Sequence, residues 1–528
     1  MTENLQLETS NPVTTTTNTG GIARAASLVM VLFLASRGLG LLREMVIARQ
    51  FGTSAEMDAY LAAFRLPDFL FYVVAGGALG SAFIPVFTGC LTRQDLPGAW
   101  RLASAVINWI ILILTGLGSL AAIFAPWLVQ TFFADFTPAQ QALTTELMRW
   151  ILISTIIFGV SGVVMGILNA YQHFFLPALA PVIYNAAIIL GAWLLGPIWG
   201  VRGLAAGVVL GAAAHLLVQL PGLAYGERLR YQPTLAWRNA GLHEVARLMG
   251  PRVLGLAAVQ LNFVVNAVLA AGLSTGSLAA LNYGWIIMLL PQGIIAQSVA
   301  TALFPTLATL AAKEEWVELR RIFALTLRHL LFLTLPAAVG LIVLSKPLVR
   351  LLLERGNFDS DSTAATAWAL SFFSLGLVGH ALVEIATRTF FALKNTKTPV
   401  GIGVAAILIN IGLSWLLLRL FAGWSWPPHG GLALANSIAV TLEMVVLLVL
   451  LRPLMGGLAE PGLGWAIGKM SLAAGSMALV LWLLLPLLPI TPSWLGGVIG
   501  IMVGGIVYLG LTYAFGVDEV KTIWRRLR

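Results

Sequence analysis

Between Ser36 and Pro85, Arg37, Arg43, Glu44, Arg49, Asp58, Arg65 and Asp68 stand inside or beside otherwise apolar helical sequence. A charge at the centre of a lipid-facing helix costs roughly 2.5 to 3.5 kcal/mol on insertion scales, so such groups line wet cavities or pair with one another. Arg37 and Arg43 lie six residues apart. At about 1.5 Å per residue that is about 9 Å of helix, which sets two guanidinium groups at different depths of one cavity. The chemistry on offer is anion binding, because the planar, always-charged guanidinium forks onto carboxylate or phosphate oxygens. A competing reading keeps Arg43, Glu44 and Arg49 at the headgroup level, snorkelling or pairing with Asp58. A second cluster, His380, Glu384 and Arg388, recurs every four residues and so shares one helix face. It is either a proton- or cation-sensitive coupling element, through His380, or a structural Glu384–Arg388 pair with His380 hydrogen-bonded to a neighbour. The second alternative is favoured because intramembrane charges so often simply pair. Glu443, a lone acid in an apolar run, is a further candidate for coupling, or for a bond to a Ser or Asn across an interface.

These side chains need long apolar helices to hold them. Of 528 residues, 59% are hydrophobic and only 10% charged, against about a quarter charged in soluble domains. The fold class expected is therefore all-α integral membrane. Apolar segments fall at about 24–50, 60–90, 99–130, 143–169, 177–198, 202–224, 246–273, 278–310, 322–345, 364–393, 399–421, 431–452, 463–489 and 493–515, about 14 transmembrane helices. Residues 1–20, rich in Thr and Asn, read as a disordered cytoplasmic tail. Lys313 to Arg328, with Glu314, Glu315 and Glu318, reads as a short amphipathic cytoplasmic connector. Lys and Arg concentrate in alternate connections, which places both termini inside and makes the net charge of +9 a record of membrane orientation. No basic stretch is interleaved with aromatic residues as nucleic-acid binding would require. The single cysteine, Cys90, excludes an internal disulfide and a thiolate metal site. No Gly-Lys-Ser/Thr phosphate loop and no Ser/His/Asp constellation is present, so the chain is expected to be no enzyme, to need no cofactor and not to use ATP directly.

The chain also repeats itself. Phe83-Ile84-Pro85 returns as Leu303-Phe304-Pro305, Pro126 as Pro347, and Ala170 to Pro177 as Ala392 to Pro399, at offsets of 220, 221 and 222. Arg101 and Arg321 each follow their proline by sixteen residues, and Gly203-Leu204-Ala205 reappears as Gly431-Leu432-Ala433. A period of six helices, an even number, gives two parallel six-helix repeats with two C-terminal helices left over. The organisation expected is 1–20 tail, 21–224 first lobe, 225–455 second lobe, and 456–528 the last two helices with a basic cytoplasmic tail. Parallel-repeat transporters bind near the midplane between the halves and rock one against the other.

The run Ser36-Arg37-Gly38-Leu39-Gly40, Arg43-Glu44, Ala48-Arg49, Phe51-Gly52, Asp58-Ala59, Phe64-Arg65-Leu66-Pro67 and Ala82 to Pro85 resembles the first two helices of the MurJ (MviN) lipid II flippases. Arg355-Gly356-Asn357-Phe358 and Asn395 to Val400 resemble that family's second half. The family belongs to the multidrug/oligosaccharidyl-lipid/polysaccharide exporter superfamily. The resemblance implies a multi-pass protein of the bacterial cytoplasmic (inner) membrane, working as a monomer among membrane lipids. It would move the undecaprenyl-pyrophosphate-linked peptidoglycan precursor from inner to outer leaflet for cell-wall synthesis, driven by membrane potential or an ion gradient. It carries substrate-binding roles onto Arg37, Arg43, Asp58 and Arg65, with Asp58 orienting or releasing an arginine. The chain departs from the pattern at Ile286, where the family has a cavity arginine, at Phe71-Tyr72, where paired arginines are common, and at Glu384, commonly a lysine. Another polyprenyl-pyrophosphate-linked oligosaccharide is the alternative cargo those departures suggest. A cation-coupled multidrug antiporter of the same fold would instead need an acid-rich cavity, against Arg37 and Arg43.

Overall fold

The computed structural model describes residues 19–224, 230–457, 462–485 and 495–520, and every regular element within them is a helix. Positions 1–18 of the expected tail and the basic end at 521–528 lie outside the described residues. The first half contains α1 (Thr19–Phe51), α2 (Ala55–Val74), α3 (Gly77–Thr92), α4 (Leu96–Phe132), α5 (Pro138–Ala170) and α6 (Phe175–Leu190). It continues through a π-turn (Gly191–Leu195) to α7 (Gly196–Trp199), α8 (Val201–Leu217) and α9 (Leu220–Ala224). The second half contains α10 (Ala240–Ala271), α11 (Ser277–Pro291), a π-turn (Gln292–Gln297), α12 (Ser298–Ala312) and α13 (Trp316–Val343). Then come α14 (Ser345–Leu352), α15 (Ser360–Leu375), α16 (Leu377–Ala392), α17 (Lys397–Gly423) and α18 (His429–Leu454). Two helices, α19 (Leu463–Leu484) and α20 (Leu495–Ala514), follow.

Short polar residues between the apolar runs start several of these helices by accepting from otherwise orphaned backbone N–H groups. Ser54 accepts from Met57 at the head of α2, Asp95 from Gly98 at α4, and Asp359 from Ser362 at α15. Thr137 and Gln140 close a capping box on α5. The segment expected as a separate connector, Lys313 to Arg328, is instead mostly the first turns of α13, which runs unbroken from Trp316. Its apolar side, with Leu319 and Phe323, is buried, so the amphipathic pattern belonged to a packed helix end.

Among the described residues, ten helical runs are long and apolar enough to cross a membrane, and up to twelve if each of two bent pairs is one span. The predicted segments 24–50 and 60–90 are also helical, as α1 and as α2 with α3. From Ser27 onward α1 carries Arg37, Arg43, Glu44 and Arg49, and α2 carries Glu56, Asp58, Arg65 and Asp68, so both depart from a plain apolar span.

The same pairings are built twice. In the first half α1 packs on α6, α2 and α4 on α5, and α5 and α6 on α8. In the second, α10 packs on α17, α11 and α13 on α15, and α15 to α17 on α18. Both second spans are interrupted at repeat-related places: α2 gives way to α3 at Ala75–Gly76, and the π-turn Gln292–Gln297 lies 220 residues beyond positions 72–77. Irregular backbone inside a span is tolerated where it faces protein or a cavity. Across the halves, α10 packs on α2 and α3. The last two helices are fixed to the second half: α19 lies on α13 and α20 on α14, Tyr508 donates to the Phe332 carbonyl at 2.9 Å, and Arg328 pairs with buried Glu519 at 2.7 Å.

Candidate functional site

Arg43 points into a cavity of about 210 Å³ between the halves, walled by Tyr60, Phe64, Arg65, Asp68 and Tyr184 on one side and Asn282 and Ile286 on α11 on the other. Its guanidinium is held on two sides. Nε and Nη2 donate to Glu44 Oε1 at 3.0 and 2.6 Å, and Nη1 donates to Asn185 Oδ1 at 3.0 Å. Asn185 in turn donates to the Ser36 carbonyl at 3.3 Å, which ties α6 to α1 and fixes the orientation of the amide. Arg43 keeps 28% of its side-chain surface exposed, whereas Glu44 keeps 8%. The carboxylate is thus the buried anchor, and the cation faces the cavity with donors to spare.

Arg37 sits two turns closer to the start of α1 and is exposed. Its Nη2 donates to Gln297 Oε1 at 3.4 Å, across to the π-turn of the second half, and its guanidinium lies over the Phe33 ring, 5.2 Å from the centroid. Arg65 lines the central cavity and also an apolar pocket with Leu128, Phe132 and Leu261. Its Nε is buried and has no hydrogen-bond partner among the described residues.

Asp58 does something the sequence did not reveal. The expectation was an acid that orients an arginine, with pairing to Arg43 or Arg49 as the alternative. Instead its two oxygens accept from the backbone N–H groups of Gly276 (2.6 Å) and Ala279 (2.8 Å), capping the N-terminus of α11 from the opposite half. The physical reason is that α11 has no N-cap side chain of its own, since glycine occupies that position. A carboxylate suits the positive end of a helix.

Around this cap the halves are closed at one end. Asn357 donates from its backbone to the Arg49 carbonyl (2.8 Å) and from Nδ2 to that of Gln50 (2.6 Å), and Thr53 and Ser362 share a hydroxyl bond of 2.8 Å. Two glycines let the backbones meet. A Cβ at Gly276 would fall 2.3 Å from the Thr53 carbonyl oxygen and one at Gly52 2.3 Å from that of Asn357, and both residues have positive φ, +85° and +57°.

The coupling candidates fall elsewhere. On α16, Arg388 pairs with Glu384 at 2.8 Å, and His380 is bonded to Asn436 Oδ1 at 3.1 Å with its ring against Trp285. Glu443 faces Gly403 on α17 and has no hydrogen-bond partner among the described residues. These four residues lie outside the wall of the cavity around Arg43. Among the described residues no group of three or more His, Cys, Asp or Glu is placed to hold a metal ion. The sequence by itself does not single out Asn185, Asn282, Gln297, Gly276 or Ser362, and it marks Asn357 only as part of the motif Arg355 to Phe358. A lone amide in an apolar helix was the available signal for the first; the other seam residues carried none, because their partners are hundreds of positions away.

The family model for the lipid II flippase MurJ matches residues 47–497. The chain belongs to the MurJ lipid II flippase family. It is 30% identical over 452 residues to the lipid II flippase MurJ of Burkholderia cenocepacia, covering 84% of this chain and 86% of that one. It is 29% identical over 491 residues to a probable lipid II flippase MurJ of Thermotoga maritima, covering 93% and 96%. Among solved structures, a lipid II flippase MurJ in an inward closed conformation superposes with a TM-score of 0.78 at 29% identity, covering 93% of this chain and 99% of that one. An inward-facing multidrug resistance MATE family transporter of the MOP superfamily shares the fold at 16% identity, with a TM-score of 0.68 over 82% of this chain and 98% of that one. Within this MurJ family member, Ile286 leaves the α11 wall of the cavity to Asn282 and an apolar side chain, so the cations around it come from the first half.

Proposed function

We propose that the protein moves lipid II, the undecaprenyl-pyrophosphate-linked peptidoglycan precursor, from the inner to the outer leaflet of the bacterial cytoplasmic membrane. The observation that carries this reading is Arg43, oriented by Glu44 and Asn185 into a cavity between two repeated halves, in a chain of the MurJ family. A pyrophosphate presents several acceptor oxygens, and the free edge of Arg43, with Arg65 beside it and Arg37 further along α1, supplies the matching donors. Asp58 acts in this scheme on the gate, because both its oxygens accept from the head of α11.

With both termini cytoplasmic, as the Lys and Arg distribution favours, the end of the cavity sealed by these bonds is the outer one. Alternating access then requires the bonds from Asp58, Asn357 and Thr53 to break. Membrane potential supports such a cycle at about 2.3 kcal/mol per charge per 100 mV if the first-half arginines move through the field. The reading is of a transporter that works as a monomer, without a bound cofactor. The deciding experiment depletes a host's own lipid II flippase and asks whether this protein sustains growth. Wild-type rescue that is lost in Arg43→Ala at matched membrane abundance is expected; failure of the inserted wild-type protein, or full rescue by Arg43→Ala, overturns the reading.

A further inference from the structure

A second cavity, of about 480 Å³, lies within the first half, at the break between α2 and α3. It adjoins the central one through Phe64, Asp68 and Tyr184, which line both. Asp68 brings the negative charge. Arg65 is one turn away on the same helix, yet no ion pair closes between them, and the Asp68 carboxylate makes no hydrogen bond among the described residues. Around it the wall is aromatic. Phe158 stands edge-on to Tyr184 at 4.9 Å and to His215 at 5.2 Å, with Tyr72 and the Gly76 break completing that side. The last carbonyl groups of α2 end at this break, and they add the partial negative charge of a helix C-terminus. His215 is held through Nδ1 by Ser161 at 2.7 Å and Gln219 at 3.3 Å, so it is a fixed part of the wall.

One carboxylate, an aromatic lining and a helix C-terminus suit a cation with apolar substituents. They do not suit a bare metal ion, which needs several oxygen ligands in its first shell. We propose that this cavity is a binding site for an organic ammonium ion, with Asp68 as its counter-charge and Tyr72, Phe158 and Tyr184 as its walls. The site adjoins the cationic cavity that serves the cargo in the reading above and shares Phe64, Asp68 and Tyr184 with it, and its test does not depend on transport.

The full-length protein in nanodiscs of phosphatidylcholine is titrated calorimetrically with benzyltrimethylammonium, against empty nanodiscs. Saturable binding is expected, weakened about tenfold or more in Asp68→Asn and by a smaller factor in Phe158→Leu, the order given by a lost counter-charge and a lost ring face. Asp135→Asn, which removes an acid in the α4–α5 turn, should bind as the wild type does. Thermal unfolding of each variant shows whether it is folded, and Phe158→Leu tests the site even where Asp68→Asn is not. Absence of saturable binding, equal binding by Asp68→Asn or Phe158→Leu, or displacement by sodium at equal concentration overturns the proposal.

Discussion

Replacing Asp58 by asparagine should open the seal between the halves while leaving each half folded. In the closed state the two carboxylate oxygens accept at 2.6 and 2.8 Å from Gly276 and Ala279. Hydrogen bonds to a charged group contribute about 1.5 to 3 kcal/mol each. Asparagine keeps one acceptor and turns the other into a donor that faces a backbone N–H, so at least one such bond is lost along with the charge. At about 1.4 kcal/mol per tenfold, the closed population falls relative to the open by about ten- to a hundredfold. The assay is a cross-link at the seal. Thr53 and Ser362 already touch through their hydroxyls at 2.8 Å, so Thr53→Cys with Ser362→Cys places two sulfurs within reach of a disulfide in the closed state. Cys90, the single native cysteine, is replaced by alanine to keep the reading clean. Oxidation should be slower with Asp58→Asn, because its rate follows the closed fraction, and the slowing reaches about tenfold where closed and open states are of similar population in the parent protein. An unchanged cross-linking rate in a folded Asp58→Asn protein refutes the view that this carboxylate holds the gate.

Other consequences follow from single contacts. Gly276→Ala, at φ +85° with its new methyl 2.3 Å from the Thr53 carbonyl oxygen, should slow the same cross-link, since positive φ alone costs about 1 to 2 kcal/mol in an alanine; unchanged cross-linking contradicts the close approach. Glu384→Gln replaces the 2.8 Å carboxylate partner of Arg388 by a neutral amide, and because both side chains are near 30% exposed the loss should stay at about 1 kcal/mol, read as a small drop in thermal midpoint in detergent. Asp359, outside the membrane spans, has its carboxyl held below the usual carboxylate range by the Ser362 N–H. Its stabilisation of α15 is present above the ordinary aspartate pKa and lost as pH falls through the lowered one. Asp359→Ala should therefore cost about 0.5 to 2 kcal/mol near neutral pH and less in acid, as followed by unfolding midpoints across pH.

Much of the architecture was legible along the chain because lipid imposes it. A span must be long, apolar and internally hydrogen-bonded, and those demands are local. The repeat was legible for a related reason: prolines and glycines at offsets near 220 mark the same turns in both halves, and the helix pairings recur as that period requires. Arg43 could be named from its type alone, since an intramembrane guanidinium needs a cavity or a partner. Its partners, Glu44 next door and Asn185 on α6, needed the fold.

Asp58 shows where local reading ends. An acid near several arginines suggests an ion pair, and nothing in the chain order marks a partner in the other half. In three dimensions the bare N-terminus of α11, 218 residues away, comes within 2.6 Å and offers aligned N–H groups at the positive end of a helix. Asp68 is the converse case. Its neighbour Arg65 is one turn off on the same helix, but the break after α2 and the rings of α5 and α6 turn its surroundings into an aromatic cavity. By itself the sequence determined the all-helical membrane class, the repeated pattern and the family, because burial in lipid and repetition act on residue types and their spacing. Only the tertiary structure decided which charges pair, which cap a helix and which stay free, because those outcomes depend on distances between helices that the chain order does not encode.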